Sequence, residues 1–359
     1  MVTSSRIKVY VRLRPSSNIS SSPSASSSGI DVPANLLSLD TVSNCITIQG
    51  GVDPHLLGSS RPSHGHNSSL SPTTFQFDRV LPPPTTNASL YSLSALPLIR
   101  SSLAGYNATL LTYGQTGAGK TYTTFGPPAG SSDSYKERGL CARAIAGVFD
   151  EISKYKNMGD GGAAGTPIEV RMSCIEIYNE SLFDLLGFSG GAEEPANLNN
   201  GANQPGSTAS SSANVPNLAL FESASSGVLV RGLTLPLVNN SEEGLNLLFE
   251  SQMNRAIAEH QLNDASSRSH CIFTFHFIVR NPVSNKVTTS KFNIVDLAGS
   301  ERMVKTEAVG QVQRESNYIN KSLSFLEQVV VALASKVSQK KGKGGKKKCN
   351  AAAAPCYKT

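Results

Sequence analysis

The stretch GQTGAGKT at residues 114–121 constrains the fold of this chain more than any other. It follows the apolar run ATLLT, which predicts a buried strand, and it precedes a segment that predicts a helix. Glycines at such a junction let backbone N–H groups converge on one point, and the start of a helix adds unpaired donors and a positive dipole end. The spacing GxxxxGK followed by Ser or Thr is, in this context, typical of a phosphate-binding loop. The alternative is a glycine turn with an incidental lysine, and the agreement of strand, motif and helix favours the phosphate loop.

Two side chains of the loop give this prediction its chemistry. Lys120 is expected to reach the outer phosphates of a nucleotide, and Thr121 is expected to place its hydroxyl on Mg²⁺. The loop by itself does not indicate which nucleotide binds.

Strand and helix patterns alternate along the chain, which predicts the α/β class. The periodicity predicts strands at 7–13, near 42–48, at 75–81, immediately before the glycine-rich loop, at about 168–178, at 273–279 and at 290–296. It predicts helices at 88–104, where Pro97 is expected to bend or break the helix, after the glycine-rich loop, at 139–156, as a short helix in NESLFDLL, at 241–259 and at 315–336.

Three polar stretches interrupt these elements, at about 16–29, 50–74 and 187–217, and their composition indicates surface insertions. We therefore expect one domain core over residues 1–335 that contains the insertions, followed by a Lys-rich end over 336–359. That end holds eight lysines and no acidic residue, so the net charge of +6 belongs to it.

The composition argues against several other classes of protein. The six cysteines are scattered without a CxxC pair, which indicates reduced thiols rather than disulfides or a metal centre. The N-terminal residues lack the apolar core of a signal peptide, and no run of about 18 apolar residues predicts a membrane span. We therefore expect a cytosolic protein without a membrane partner.

Two further segments are rich in groups that bind phosphate or Mg²⁺. NDASSRSH at 263–270 places serines, an arginine and a histidine at a predicted helix-to-strand junction, and VDLAGSER at 295–302 ends a buried strand with an acid and then a glycine. A P-loop NTPase needs such groups to contact Mg²⁺ and the terminal phosphate and to move when that phosphate leaves. Each segment alone is weak evidence, but together with the phosphate loop they predict one nucleotide site.

These segments resemble those of the kinesin motor domain, and the resemblance covers nearly the whole chain outside the insertions. RLRP at 12–15, GYNATLLTYGQTGAGKTYT, EIYNESLFDLL, NDASSRSH, VDLAGSER and NYINKSLSFLE follow one another in the order of that family. INKSLSFLEQ most resembles the kinesin-nine group, which is associated with cilia and flagella. The resemblance implies a P-loop NTPase fold with a central mixed, mostly parallel sheet flanked by helices. It also implies a microtubule-stimulated ATPase that couples ATP hydrolysis to movement.

The resemblance further implies a role for each residue of the site. Thr121 and Ser267 would ligate the Mg²⁺ that accompanies ATP, and Asp296 would hold one of its water ligands. The Gly299 amide would sense the terminal phosphate, Arg268 and Glu301 would close on the attacking water as a salt bridge, and Ser266 would help to position that water. The alternative for Arg268 and Glu301 is a pair of solvated surface charges. The residues expected around the adenine are Arg12, Arg14, Pro15 and Tyr122, and those around the phosphates are Gly114, Gln115, Thr116, Gly117, Ala118, Gly119, Lys120 and Thr121.

The long helix near the C-terminus and the lysine run after it would face the track. In the family this region lies on tubulin, whose surface is acidic, so the run would act as an electrostatic tether. Other interpretations stay open: a nuclear-localisation signal, a nucleic-acid-binding tail or a solvated run without a partner. No aromatic residues are interleaved for base stacking, so we expect no nucleic acid partner. The residues expected to bind microtubules are Lys305, Lys336, Lys340, Lys341, Lys343, Lys346, Lys347 and Lys348.

By the family pattern the chain stops early, since APCYKT resembles only the start of the next family segment. A strand beside the one that enters the phosphate loop would then be absent, so we expect a poorly stable polypeptide with weak or no ATPase. The alternative functions are an inactive microtubule-binding protein and a GTPase, although NKSL at 320–323 lacks the acid of an NKxD guanine motif. The implied location is the cytoplasm and cytoskeleton, with the axoneme of a cilium or flagellum as the finer expectation.

Overall fold

The computed structural model describes residues 7–15, 37–49, 72–83, 85–127, 135–157, 167–187, 218–223, 227–261, 268–281, 285–301 and 311–341. The strands are β1 (Tyr10–Arg12), β2 (Leu37–Asp40), β3 (Cys45–Ile48), β4 (Thr73–Gln76), β5 (Arg79–Leu81), β6 (Ala108–Thr112), β7 (Ile168–Tyr178), β8 (Ser181–Asp184), β9 (Ala219–Ser223), β10 (Gly227–Arg231), β11 (Leu237–Val238), β12 (His270–Arg280) and β13 (Val287–Asp296). The helices are α1 (Asn87–Leu90), α2 (Leu96–Leu103), α3 (Lys120–Thr124), α4 (Leu140–Asn157), α5 (Ser241–Gln261) and α6 (Gln311–Lys341), with a π-helical turn, Tyr91–Ala95, joining α1 to α2.

This alternation of strands and helices confirms the α/β class. The predicted insertion at 16–29 and most of those at 50–74 and 187–217 lie outside the described residues, and the end of the second belongs to β4. Among the described helices, none combines the length and the apolar character that a bilayer crossing requires.

The contacts divide the chain into two units. The first contains residues Met1–Thr85 and Lys321–Thr359. In it, β2, β3 and β4 form a three-stranded antiparallel sheet, and β1 pairs with β5 in parallel. Val80 and Leu81 of β5 are buried, and the N–H of Leu13 donates to the carbonyl of Leu81 at 3.1 Å.

The second unit, Thr86–Asn320, is built on a six-stranded sheet. Its strand order is β11-β7-β12-β13-β6, and β8 pairs with β7. Only the β13–β6 pairing is parallel among the described pairings of this sheet. The expectation of a mixed sheet is confirmed, but the expectation that it is mostly parallel was wrong. Short loops join β12 to β13 and β7 to β8, and such loops suit antiparallel neighbours, whereas parallel neighbours need a long crossover.

The core of this unit is built from the periodicity of β12. Phe273, Phe275 and Phe277 recur every second residue, so they lie on one face of the sheet, and all three are fully buried. The ring of Phe275 packs edge-on against Phe273 and stacks against Phe277 and against Phe292 of β13. Helices α2, α4 and α5 contribute Ile99, Ile145, Val148 and Leu248 to the same cluster. This core fixes the ends of β6 and β13, where the candidate site lies.

The segment NESLFDLL was predicted to be a short helix and is instead a hairpin strand. Asn179 and Glu180 have φ values of 50° and 60° and form a two-residue turn that pairs Tyr178 with Ser181. The carboxylate of Asp184 then accepts hydrogen bonds from the N–H groups of Leu186 at 3.0 Å and Thr234 at 2.7 Å. The apolar spacing fits a helix, but pairing with β7 buries the segment as a strand.

Other elements also differ from the predictions. The region near 42–48 is a hairpin of β2 and β3, in which Asp40 accepts from the N–H groups of Val42 and Ser43. FQFDRVL is divided between β4 and β5, and the N-terminal strand is limited to β1. Pro97 does not end the helical run, which continues to Leu103, but the regular α-helix gives way to the π-helical turn Tyr91–Ala95 immediately before it.

A candidate nucleotide site at the ends of β6 and β13

The phosphate loop has the strand–loop–helix setting that its sequence predicts. β6 ends at Thr112, and α3 begins at Lys120 with Gly119 as its N-terminal cap. Gly119 has a φ of 91°, in the left-handed region that disfavours a side chain. This conformation turns the backbone sharply from the loop into the helix.

Lys120 lies against the loop that it is predicted to serve. Its Nζ donates to the carbonyl oxygens of Gly114 at 2.9 Å and Gln115 at 3.0 Å. Burial lowers the pKa of Lys120, and the negative charges of Asp296 and Glu301 offset part of that effect. The ammonium is therefore held at the loop with two carboxylates nearby.

The two described residues predicted to serve Mg²⁺ lie together. The Thr121 hydroxyl donates to Oδ2 of Asp296 at 2.8 Å, and the Thr112 hydroxyl donates to Oδ1 at 3.3 Å. This contact arises because Asp296 ends β13 directly opposite Thr112, which ends β6. Hydroxyl and carboxylate oxygens are the hard donors that Mg²⁺ prefers, so these residues fit the cation.

Glu301 contacts the phosphate loop directly. Its carboxylate accepts hydrogen bonds from the backbone N–H of Thr116 at 2.8 Å and from the Thr116 hydroxyl. Gly299 permits the approach, because a Cβ at this position would lie 2.4 Å from the Thr116 hydroxyl. Partial burial raises the pKa of Glu301, but the hydrogen bonds from Thr116 and the charge of Lys120 outweigh it, and the net shift is downward. The salt bridge expected between Glu301 and Arg268 stays a prediction.

Sequence reasoning missed a buried ionic cluster beside Asp296. Arg255 of α5 lies 3.4 Å from Asp296 through Nη1 and 3.4 Å from Glu176 of β7 through Nε, and all three are almost fully buried. Ser269 donates to Glu176 at 2.6 Å. An acid in the otherwise apolar run CIEIY was the available signal, since a buried carboxylate requires a partner.

His270 was also missed. Its Nδ1 accepts the backbone N–H of Ala298 at 3.0 Å, which joins the start of β12 to the segment after β13. Burial lowers the pKa of His270, the charge of Asp296 opposes that shift, and the charge of Lys120 adds to it. A neutral ring is the form that can accept this hydrogen bond.

Several predicted site residues lie elsewhere or outside the described part of the chain. Arg12, Arg14 and Pro15 belong to the first unit, where Arg12 Nη2 donates to the carbonyl of Thr85 at 3.0 Å. Tyr122 lies on α3 with its side chain partly exposed, and its carbonyl accepts a hydrogen bond from the Asn87 amide at 3.3 Å. The residues outside the described ranges are Ser266, Ser267, Lys305, Lys343, Lys346, Lys347 and Lys348, and only the backbone within α6 is described for Lys336, Lys340 and Lys341.

The fold and the loop define a protein of the P-loop nucleotide-binding class. The sequence model described as "Kinesin motor domain" matches residues 35–347, which is most of the chain. The chain therefore belongs to the kinesin motor-domain family, and its members bind nucleotide.

Individual relatives agree with this assignment. "Kinesin-like protein KIF9" of Homo sapiens is 40% identical over 272 residues, covering 74% of this chain and 30% of the relative. "Kinesin-like protein KLP1" of Chlamydomonas reinhardtii is 37% identical over 336 residues, covering 92% of this chain and 36% of the relative. These two relatives are consistent with the resemblance to the kinesin-nine group. The chain spans about a third of the length of these curated relatives.

The fold agrees with solved kinesin structures. A structure described as that of a fast kinesin superposes with a TM-score of 0.65 at 29% identity, covering 92% of this chain and 76% of that one. The motor and motor homology domain of Kar3Vik1 gives a TM-score of 0.60 at 26% identity, covering 89% of this chain and 68% of that one. The predicted kinesin fold is thereby confirmed.

Proposed function

We propose that this chain is an ATP-dependent microtubule motor domain, which uses ATP with Mg²⁺ and associates with the cytoskeleton. The observation that carries the proposal is the convergence of Lys120, Thr121 and Asp296 at the ends of two paired strands, in a chain of the kinesin motor-domain family. The fast kinesin to which it is similar is described in terms of its ATPase mechanism and its interactions with microtubules. We retain residues 1–335 as the proposed motor core.

In the proposed mechanism the phosphate loop binds and orients ATP. The amides of the residues from Gly114 to Gly119 would point to the phosphates, and Lys120 would exchange its carbonyl partners for phosphate oxygens. Thr121 and Ser267 would hold Mg²⁺ directly and Asp296 would hold it through water. Bound there, Mg²⁺ would neutralise charge on the phosphate oxygens.

Hydrolysis then requires that water be positioned at the terminal phosphate. Arg268 and Glu301 would close on that water, with Ser266 orienting it and the Gly299 amide contacting the phosphate. In the structure Glu301 is bonded to Thr116, so closure requires Glu301 to leave the phosphate loop. That exchange would couple the terminal phosphate to the segment that leads towards α6.

The proposed partner surface includes α6 and the lysines after it. The residues proposed to contact microtubules are Lys305, Lys336, Lys340, Lys341, Lys343, Lys346, Lys347 and Lys348. A lysine run of this kind strengthens encounter with an acidic surface and weakens as salt rises. The resulting location is the cytoskeleton, with the axoneme of a cilium or flagellum as the finer proposal.

The decisive experiment compares the natural chain with Lys120→Ala. Binding of fluorescently labelled ATP and microtubule-stimulated phosphate release are measured, with unlabelled ATP and GTP as competitors. We expect Lys120→Ala to lose at least about tenfold in nucleotide affinity and to lose phosphate release. Lys286→Ala, which removes an exposed lysine far from the loop in sequence, is the control and should behave as the natural chain does. Unchanged nucleotide affinity and turnover in Lys120→Ala would contradict the proposal.

A further inference from the structure

Helix α5 is apolar on the face that it buries and also on the opposite face. On the buried face, Leu248 lies in the core cluster, and a Cβ at Gly244 would lie 2.8 Å from Ile145 of α4 and 2.9 Å from Met172 of β7. A helix at the surface of a protein ordinarily carries polar side chains opposite its buried face. Since the opposite face of α5 is apolar, the helix has the composition of one that is covered on both sides.

The opposite face carries large apolar residues at intervals of four along the chain. Each of them is between 40% and 59% exposed, and together they form the outer ridge of α5: Leu245, Phe249, Met253 and Ile257. Residues four apart on a helix are neighbours, so the outer ridge is continuous. It exposes roughly 350 Å² of apolar surface, and a patch of that size on a single protein is often functional.

The spacing of the outer ridge indicates what can cover it. Side chains four residues apart form ridges, and in the commonest class of helix packing such a ridge fits into the corresponding groove of a second helix, at a crossing angle of about −50°. A second copy of α5 has that shape, because a two-fold contact uses the same surface on both partners. If the axis passes between Phe249 and Met253, Phe249 of each copy lies beside Met253 of the other.

The area of the outer ridge is sufficient for such a contact. Two copies would bury roughly 700 Å² of apolar surface, and since interfaces are about 60% apolar, the whole contact would cover roughly 1,200 Å². Specific interfaces between proteins begin at about 1,200 Å². A contact at this lower limit is weak, so we expect a dissociation constant on the order of 10 μM.

We propose that the outer ridge of α5 binds a second copy of this chain and forms a symmetric dimer in which the two α5 helices pack against each other. Removal of the apolar side chains from water drives the association. The inference goes beyond the proposed function and does not depend on it, because none of the four residues of the outer ridge belongs to the proposed nucleotide site.

Sedimentation velocity of the full chain from about 1 to about 100 μM tests the proposal, with monomer expected at the lower end and dimer at the upper end. In Phe249→Glu the contact would bury a charge without a partner, so we expect the dissociation constant to rise at least about tenfold. The matched control is Phe221→Glu on β9, which replaces another exposed phenylalanine outside α5. It should associate as the natural chain does.

A second arm tests which residues face each other in the dimer. Met253→Lys places the opposite charge at the neighbouring position of the outer ridge, and alone it should weaken association as Phe249→Glu does. In an equal mixture of the two variants, the new glutamate and lysine would pair, and one natural contact between Phe249 and Met253 would remain. We therefore expect a mixed dimer with an affinity within about tenfold of the natural one. A mixture that stays monomeric would overturn the proposed pairing.

The remaining outcomes decide whether the outer ridge is the contact. A natural chain that stays monomeric up to about 100 μM overturns the inference, while binding of ATP, measured separately, still tests the proposed function. No loss of association in Phe249→Glu, or an equal loss in Phe221→Glu, overturns it as well. Growth beyond a dimer would contradict a closed two-fold contact. If thermal unfolding shows that Phe249→Glu does not fold, Met253→Lys alone decides by the same criterion.

Discussion

The carboxylate of Glu301 is bonded to Thr116 of the phosphate loop through both the backbone N–H, at 2.8 Å, and the hydroxyl. The two residues are 185 positions apart in the chain. The N–H of Thr116 belongs to the set expected to hold phosphate, so the carboxylate and a phosphate compete for the same donor. Ser300 adds a backbone bond to the carbonyl of Gly114 at 3.1 Å, which keeps the two segments together.

Replacing Glu301 by Gln should therefore strengthen ADP binding. The neutral amide is a weaker acceptor for the Thr116 donors, so we expect affinity to rise by about three- to tenfold. Titration with a fluorescent ADP analogue measures the change. Glu222→Gln on the exposed hairpin of β9 and β10 is the control and should bind as the natural chain does. Weaker ADP binding by Glu301→Gln would show that the carboxylate does not compete with phosphate.

Stability should fall as the pH drops through the range of His276. Burial, together with the charge of Lys291, lowers the pKa of His276 to about 4, and its Nε2 lies 3.0 Å from the hydroxyl of Ser173. The unfolded chain takes up this proton near the ordinary value of 6.5, whereas the folded chain resists until about pH 4. The contribution is therefore complete above about pH 6.5 and is lost between 6.5 and 4. The total loss is on the order of 3 kcal/mol, of which about 2 kcal/mol is lost by pH 5.

Urea unfolding at pH 7.5 and at pH 5 measures this loss. Burial also lowers the pKa of His270, so the natural chain alone does not isolate one histidine. His276→Gln, which cannot titrate, should show a smaller difference in unfolding free energy between the two pH values. An equal difference in both proteins would assign the pH dependence to other groups.

Gly139→Ala should destabilise the protein through a clash with backbone. A Cβ at Gly139 would lie 2.4 Å from the carbonyl carbon of Phe125 and 2.5 Å from the nitrogen of Gly126, where the chain leaves α3. Backbone atoms cannot move aside as a flexible side chain can, so we expect a loss of about 3 kcal/mol in unfolding free energy. Gly227→Ala is the control, because a Cβ there would have no atom within 4 Å. It should lose only about 1 kcal/mol of unfolding free energy, the cost of a side chain at a positive φ. Chemical denaturation measures both variants, and equal losses of unfolding free energy would contradict a close backbone contact at Gly139.

The phenylalanine cluster should dominate the stability of the sheet. Phe275 is fully buried and contacts three other rings, so Phe275→Ala should cost about 4 kcal/mol of unfolding free energy. Phe249 on α5 is 59% exposed, and Phe249→Ala should change stability by less than about 1 kcal/mol. Denaturant midpoints for the two variants provide the comparison. A loss of unfolding free energy in Phe275→Ala as small as that in Phe249→Ala would contradict a central role of this cluster in the core.

The predictions that succeeded depend on local patterns. β7 was predicted at about 168–178 and is found there, and α4 and α5 begin within a residue of their predicted starts. The strand, glycine loop and helix around Lys120 were likewise predictable, because each depends on residues adjacent in the chain. The helix predicted for NESLFDLL was wrong because its structure depends on a distant partner. The apolar spacing suits a helix, and only pairing with β7 makes the segment a strand.

The sequence by itself determined the α/β class and the strand, glycine loop and helix around Lys120, because backbone geometry converts short periodic patterns into strands, turns and helices. Only the tertiary structure decided that Arg255 stands between Glu176 and Asp296 and that Glu301 rests on Thr116. These contacts join segments far apart in the chain, and they depend on which strands are neighbours and in which register. Spacing along one segment carries no information about that register, so buried charges find their partners only when the sheet is assembled.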